Sequence, residues 1–564
     1  MRHWYDQAII YQIYPKSFQD SNSDGIGDLN GIRKRIPYLK ELGINAVWLN
    51  PIFVSPQVDN GYDVSNYFAI DPKMGTMEDM DNLIKEMHEA GIHVIMDFVL
   101  NHTSDQHPWF QDAIKNPESI YRDYYIFAGE NNQRPNNWGS FFGGSVWEKD
   151  PAGTGQFYFH LFDKRMPDLN WKNPEVRHAM TEIAKYWLEK GIDGLRLDAF
   201  IHIAKADLRQ NFTVNSKDEE PVIAEPFFAN LPQVQKWMRP FCEEIKQDYP
   251  DALLLGEAAS ANVNLAVDYT NKHNHLMDSV ITFRYFTEDQ SKIDPSFLSN
   301  YQPKPLDWVK FKQNQTIWQQ TLSGISKPTL YWNNHDMARL ATRIAKNDTQ
   351  ARSLAMLMYL QCGIPIIYYG EELGMRNLQF ENVNDFQDDT VKEFVKSAEK
   401  AGVTSKEALL MASKTHKLPA RGPMPWDNER NNGFTDKEPW IKGKKLDETN
   451  AADEIADDSS MFNFYKKLIS LKKEQLFQDG NYYLWSTSDG SYVYERNLKD
   501  KKALIAVSLS QEPIEIEVGK EFSSERLSAG EYDLMAGKIT IRTICRSSIR
   551  KLKRLRNKIC NLQL

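Results

Sequence analysis

Cysteine is scarce: four residues in 564, Cys242, Cys362, Cys545 and Cys560, lie far apart, a spacing that fits neither a disulfide framework nor a zinc ribbon. Long apolar runs are missing too. No segment approaches about 18 uninterrupted apolar residues, and MRHWYDQAIIYQIY at the start lacks the charged, then apolar, layout of an export signal. A soluble chain in a reducing cytoplasm, with no membrane partner, is the expectation. Positive charge is also short. The formal net charge is −9, and since 542–564 carries eight Lys/Arg and no acid, the rest of the chain stands at −17, which argues against nucleic acid as a partner. That basic tail spaces its apolar residues irregularly and reads as solvated or loosely docked rather than as a membrane-surface helix. No internal repeat or low-complexity segment stands out.

What the chain does have is aromatic: 12% of residues, with 14 Trp and 25 Tyr, side chains suited to gripping a flat polar ligand. It also has eight short apolar runs between helical stretches: AIIYQIYP, INAVWLNP, IHVIMDFVLNH, IDGLRLDAF, ALLLGEA, SVITF, PTLYWNNHD and IPIIYYGEE. Near-continuous apolar strands alternating with helices signal a parallel sheet covered on both faces, and eight such units predict an α/β fold, a (β/α)8 TIM barrel. The barrel takes 1–103 and 172–477. The interval 104–171, with WGSFFGGSVW, is too long for a connecting loop and predicts an insertion domain after the third strand. Alternating runs in 478–541 (YYLWS, SYVYERN, KALIAVSL, IEIEV) predict a C-terminal antiparallel β domain. The basic tail 542–564 follows.

Polar residues gather at the strand ends: Asp97, Asn101 and His102 on the third, Arg196 and Asp198 on the fourth, Glu257 on the fifth, His335 and Asp336 on the seventh. The C-terminal strand ends of such barrels build active sites, whereas buried carboxylates cost free energy unless paired. Asp198, Glu257 and Asp336 suit acid–base chemistry. Hydrolysis of a glycosidic bond with retention needs a nucleophilic carboxylate and a protonated carboxyl about 5 to 5.5 Å apart. Arg196, two residues before Asp198, shares its strand face and should hold it ionised as nucleophile. Glu257 has no basic neighbour in GEAAS and should keep its proton as general acid. His102 and His335 are candidate donors to sugar hydroxyls. A zinc or di-metal hydrolase would need H-E-x-x-H or similar spacing, which is absent.

One stretch looks metal-binding. DSNSDGIGD, 20–28, has oxygen-bearing side chains at Asp20, Asn22, Asp24 and Asp28, as a loop around a hard cation does. A calcium-sensor loop requires a bidentate Glu at its twelfth position, where this chain has Gly31, so the choice lies between a fixed structural cation and a plain polar turn.

In this order and at these strand ends, DFVLNH, GLRLDAF, GEA and NNHD resemble the conserved regions of the α-amylase family, glycoside hydrolase family 13. HWYDQAIIYQIYPKSFQDSNSDGIGDLNGI, VDNGYD and YYGEELGM look like its oligo-1,6-glucosidase, dextran glucosidase and α-glucosidase branch. The resemblance implies Asp198 as nucleophile, Glu257 as general acid/base and Asp336 as transition-state stabiliser. It places Arg196, His102 and His335 around the sugar, Tyr62 as its stacking platform, Phe142 and Phe162 at the pocket mouth, and an Asp59–Arg421 pair closing the pocket behind the non-reducing end. It implies a structural Ca2+ held by Asp20, Asn22, Asp24, the Ile26 carbonyl and Asp28, with no organic cofactor. The expected activity is that of a retaining, exo-acting α-glucosidase on short oligosaccharides. Ala199, where α-1,6-specific members typically have Val, tilts the expectation towards α-1,4 links. Hydrolysis of trehalose 6-phosphate, glucosyl transfer as in sucrose-isomerising relatives, and a non-catalytic role like that of transporter heavy chains are the alternatives. MPDLN at 166–170 and the basic tail depart from the family pattern.

Overall fold

A computed structural model describes residues 3–213, 221–509, 514–519, 522, 524–530, 532–535 and 538–541; the basic tail 542–564 lies outside the described residues. Eight parallel strands form the centre: β1 (Ile10–Ile13), β2 (Ala46–Leu49), β3 (His93–Val99), β4 (Gly194–Asp198), β5 (Leu253–Glu257), β6 (Ser279–Ile281), β7 (Thr329–Leu330) and β8 (Ile364–Tyr368). They pair in the order β6-β5-β4-β3-β2-β1-β8-β7, as the eight apolar runs predict. Between β6 and β7 side chains make the seam: Ser279 Oγ donates to the Lys327 carbonyl at 2.7 Å and Thr329 Oγ1 to the Val280 carbonyl at 3.0 Å. β7 is only two residues long, so His335 and Asp336 stand in the loop beyond it rather than on its end.

The strands are buried on both faces, because helices such as Met77–Glu89 and Pro174–Glu189 cover the outside. The first starts at a capping box between Thr76 and Asp79 and turns Met80, Leu83, Ile84 and Met87 inward. The second has Asn173 as its cap and Pro174 in the first turn.

Three excursions shape the catalytic end. The insertion after β3 folds as a small antiparallel sheet of Phe127–Ala128, Phe157–Phe159 and Trp147–Lys149. Its core of Trp138, Trp147 and Phe159 is shared with Ala224 and Phe228, which arrive from the segment after β4. A buried ion pair, Lys205 to Asp168 at 2.7 Å, ties the two segments together. After β8, helices Asp389–Lys400 and Ser405–Thr415 pack on a core of their own, and the turn Leu418–Arg421 returns the chain to the barrel mouth.

Beyond the barrel, two three-stranded antiparallel sheets follow. Their alternation is that of half-buried strands: in Ile514–Glu517 the isoleucines are buried and the glutamates exposed. Arg496, fully buried, joins this part to the barrel by donating to the Leu360 and Gly480 carbonyls, each at 2.7 Å. Cys242 and Cys362 are free thiols. Among the described residues no helix is long and apolar enough to cross a membrane.

Candidate active site

The register of three neighbouring strands assembles the centre. Asp97 on β3 stands opposite Arg196 on β4, and Val99 opposite Asp198; Gly256 on β5 stands opposite Leu197, so Glu257 comes one step on, beside Asp198. The guanidinium of Arg196, 1% exposed, then touches three carboxylates. Nη1 lies 2.7 Å from Asp97 Oδ1 and 2.5 Å from Asp198 Oδ1, and Nη2 lies 3.0 Å from Glu257 Oε1. Here the structure corrects the sequence reading, which gave Arg196 to Asp198 alone and left Glu257 without a basic neighbour. Adjacency of β4 and β5 brings both catalytic candidates onto one cation. The Ala199 backbone N–H adds a bond to Glu257 Oε2 at 3.1 Å, made possible by a left-handed turn at Ala199 with φ +49°.

Burial pushes the Asp198 carboxyl well above the usual carboxylate range, with Arg196 opposing and Glu257 and Asp97 adding to the rise. Asp198 is therefore not simply held ionised by its arginine. One cation, Arg196, is thus shared among three carboxylates.

Asp336 is different. Burial would raise it too, but His335, Lys417 and Arg421 outweigh that and hold it well below the usual range. His335 Nε2 is 3.0 Å from Oδ2, while Arg421 Nη2 and Lys417 Nζ are 3.1 and 3.3 Å from Oδ1. Asp336 is thus an anion at neutral pH.

Tyr62 lies flat beside His335, ring centroids 5.5 Å apart and 12° from parallel, and its hydroxyl donates to Asp97 Oδ2 at 3.0 Å. His102 is buried, and burial pushes it down to about 4, so its ring is neutral. Its Nε2 has no hydrogen-bond partner among the described residues and can meet a ligand hydroxyl. Phe162 packs against His102 at 5.2 Å and against Phe142 at 5.8 Å; Phe142 itself is 42% exposed. From these rings a cavity of about 600 Å³ opens outward, lined by Phe141, Ala199, Glu225, Glu257, Arg284 and Glu288 among others.

Asp59 and Arg421 flank the pocket, but not as an ion pair: among the described residues no bridge within 4 Å joins them. Arg421 spends its donors on Asp336, the His335 carbonyl at 2.8 Å and the Tyr14 hydroxyl at 3.3 Å. Asp59 instead acts at longer range, its charge favouring the protonated forms of Arg421 and Lys417. Lys417, in KLPARG, went unmarked in the sequence because nothing in a loop lysine separates it from surface charge. Gln12, a lone polar residue within the apolar run AIIYQIYP, did carry a signal.

The stretch 20–28 packs beside this centre. Asp20 accepts backbone N–H bonds from Asn22, Ser23 and Gly25 and the Thr435 hydroxyl bond at 2.6 Å. Asn22 Oδ1 accepts from Asp24 N, Asp24 Oδ1 from Ile26 N, and Asp28 from Ser21 N and Gly31 N. Gly25, at φ +90°, lies so close to the chain at 438 that a Cβ there would meet the Glu438 carbonyl at 2.2 Å. The loop thus braces 434–440 against β1's end. Among the described residues no three His, Cys, Asp or Glu side chains converge as a metal centre. The donors present, three carboxylates, an amide oxygen and a carbonyl, are of the kind a hard cation takes.

A parallel barrel with this constellation at its C-terminal strand ends defines a glycoside hydrolase. The chain matches the family described as alpha amylase, catalytic domain, over residues 12–480, and it belongs to that family, glycoside hydrolase family 13. It is 37% identical over 549 residues to the oligo-1,6-glucosidase of Bacillus cereus, covering 95% of this chain and 97% of that one. Among solved structures it is similar to a family GH13_31 enzyme, at 72% identity and a TM-score of 0.90, covering 96% and 98% of the two chains. It is also similar to the trehalose-6-phosphate hydrolase of Bacillus licheniformis, at 33% identity and a TM-score of 0.87 over the same shares.

Proposed function

We propose that this enzyme is a retaining, exo-acting α-glucosidase that releases glucose from the non-reducing end of short α-glucosides. The observation that carries the reading is the placement of Asp198 and Glu257 side by side on adjacent strands under one guanidinium. Neighbouring strands run about 4.8 Å apart, which suits the spacing of a retaining pair. Asp198 attacks the anomeric carbon as Glu257, the general acid, passes a proton to the leaving oxygen; Glu257 then takes a proton from the water that releases the glucose. Anionic Asp336, the neutral ring of His102 and the ring of His335 take the sugar hydroxyls, and Tyr62 supplies the stacking face.

Exo action is supported by the wall behind the sugar, where Lys417 and Arg421 hold Asp336 and Tyr14 backs Arg421. Ala199, small and on the cavity wall beside Glu257, leaves room next to the scissile bond and favours α-1,4 over α-1,6 links. Initial rates on maltose, isomaltose, nigerose, kojibiose, sucrose and trehalose test this. Maltose is expected to lead isomaltose, and zero rate throughout would sink the glucosidase reading.

The likeness to a trehalose-6-phosphate hydrolase supports a second reading, a phosphorylated substrate. Glu225, Glu257 and Glu288 against Arg284 make the outer cavity predominantly acidic, which opposes a phosphate dianion. Trehalose 6-phosphate, run beside trehalose, is expected to show no advantage.

A structural calcium at 20–28 belongs to the proposal. Chelation is expected to lower Tm by a few degrees with kcat/KM unchanged at moderate temperature. An unaltered Tm assigns the brace to its hydrogen bonds alone. The free thiols fit the cytoplasmic location proposed for the enzyme.

A further inference from the structure

We infer that Gln12, from the first barrel strand, fixes the tautomer of His335 and is a positioning residue for it, presenting a neutral imidazole with its proton on Nε2. The argument runs from the one group that can only accept. Asp97 receives Arg196 Nη1 at 2.7 Å, Trp48 Nε1 at 3.1 Å, the Tyr62 hydroxyl at 3.0 Å and Asn50 Nδ2 at 3.3 Å. Burial pushes this carboxyl up while Arg196, His335 and Tyr62 oppose, and the four hydrogens aimed at its two oxygens fix it as the acceptor. Asn50 must therefore turn its amide nitrogen to Asp97, which leaves its Oδ1 facing Gln12.

That orientation passes down the chain. Only an amide nitrogen can face Asn50 Oδ1, so the atom 3.0 Å away is Gln12 Nε2. The same nitrogen lies 2.8 Å from His335 Nδ1. An NH2 group has two hydrogens, one for each neighbour, so His335 Nδ1 accepts and the ring proton sits on Nε2. A proton on Nδ1 would set N–H against N–H in a site where Gln12 is 0% exposed. The far side agrees: Nε2 lies 2.6 Å from the Tyr62 oxygen and 3.0 Å from Asp336 Oδ2, and Tyr62, having given its own proton to Asp97, can accept there. Gln12 Oε1, buried without a partner, is what this arrangement costs.

An aligned relay thus runs from Asp97 through Asn50 and Gln12 to His335 and joins strands β3, β2 and β1 to the loop after β7. Its effect is to keep an N–H donor aimed where Asp336 and a bound hydroxyl meet. The tautomer rests on hydrogen bonds within the protein; its use on a sugar rests on the glucosidase reading.

The test is nitrogen NMR of the full-length protein labelled with 15N-histidine, the His335 signals being assigned by their loss in His335→Gln. The wild type is expected to show a bare, pyridine-like Nδ1 and a protonated Nε2. In Gln12→Glu the new carboxylate accepts from Nδ1–H, so the pyridine-like signal should disappear near neutral pH and the kcat/KM profile should gain a new ionisation. Gln12→Met, similar in size but without a donor, is expected to lower kcat/KM by about 10- to 100-fold, the range for loss of a group that orients an active histidine. A protonated Nδ1 in the wild type, or an unchanged spectrum and rate in Gln12→Met, overturns the inference. If the variants do not fold, the wild-type spectrum decides by itself. Zero activity on every glucoside with the expected wild-type tautomer would instead sink the functional reading and leave this one standing.

Discussion

Asp198→Asn is expected to lower kcat on an aryl α-glucoside by about 10⁴-fold or more, with KM little changed. The amide keeps the shape of the carboxyl and one oxygen for Arg196, so the pocket that recognises the sugar stays as it is. What it lacks is the nucleophilic oxygen, and no neighbour replaces it: Asp97 is saturated by its four donors and Asp336 is engaged with His335 and two cations, Lys417 and Arg421. Glu257→Gln separates the two roles. An aryl leaving group departs without much help from an acid, whereas a sugar leaving group needs the proton. The Glu257 variant should therefore lose far more on a disaccharide than on the aryl glucoside, while the Asp198 variant should lose heavily on both. Near-normal turnover by Asp198→Asn on the aryl substrate would move the nucleophile elsewhere.

Asp198 and Glu257 stood out as candidates in the sequence because each residue closes a near-continuous apolar run, and a carboxylate there has to be either paired or useful. The eight barrel strands were legible for the same reason. Their ends were harder. PTLYWNNHD turns polar after Trp332, and the strand in fact stops at Leu330, which leaves His335 on a loop that long-range hydrogen bonds must hold. The Arg196–Glu257 contact could not be read at all, since it depends on register between two strands far apart in the chain, as the bond between Ala199 and Glu257, 58 residues apart, also does. The insertion shows a similar gap. Composition marks 104–171, yet its core is completed by Ala224 and Phe228, residues whose apolar character looks like that of any helix face. Asp59 and Arg421 were placed together by family resemblance, but at the atomic level Arg421 is drawn to Asp336, the nearer anion.

A second large effect is expected from Glu371, which takes no part in the chemistry. It lies in the turn after β8, 5% exposed, where it accepts from the Tyr359 and Tyr465 hydroxyls and from Asn333 Nδ2 at 2.9 Å. Burial pushes its carboxyl from 4.5 up to about 7, with the tyrosines and Arg339 opposing and Glu372 adding to the rise. A folded-state value above the unfolded one means that the native protein binds more protons than the unfolded chain between those two pH values. Stability must then fall as pH rises from about 4.5 to about 7, and level off above, by about 3 kcal/mol. Glu371→Gln removes that titration. Its amide oxygen can still take both tyrosines, but its nitrogen would face Asn333 Nδ2, a mismatch costing on the order of 1 kcal/mol. The variant should therefore be the less stable protein at pH 4, by about 1 kcal/mol, and the more stable one at pH 8, by about 2 kcal/mol. Urea unfolding of the two proteins across this range reads the difference directly, and every other titrating group shared by both cancels from it. Parallel curves, with no crossing between pH 4 and 8, would take the burial of a proton away from Glu371 and place its role in the hydrogen bonds alone.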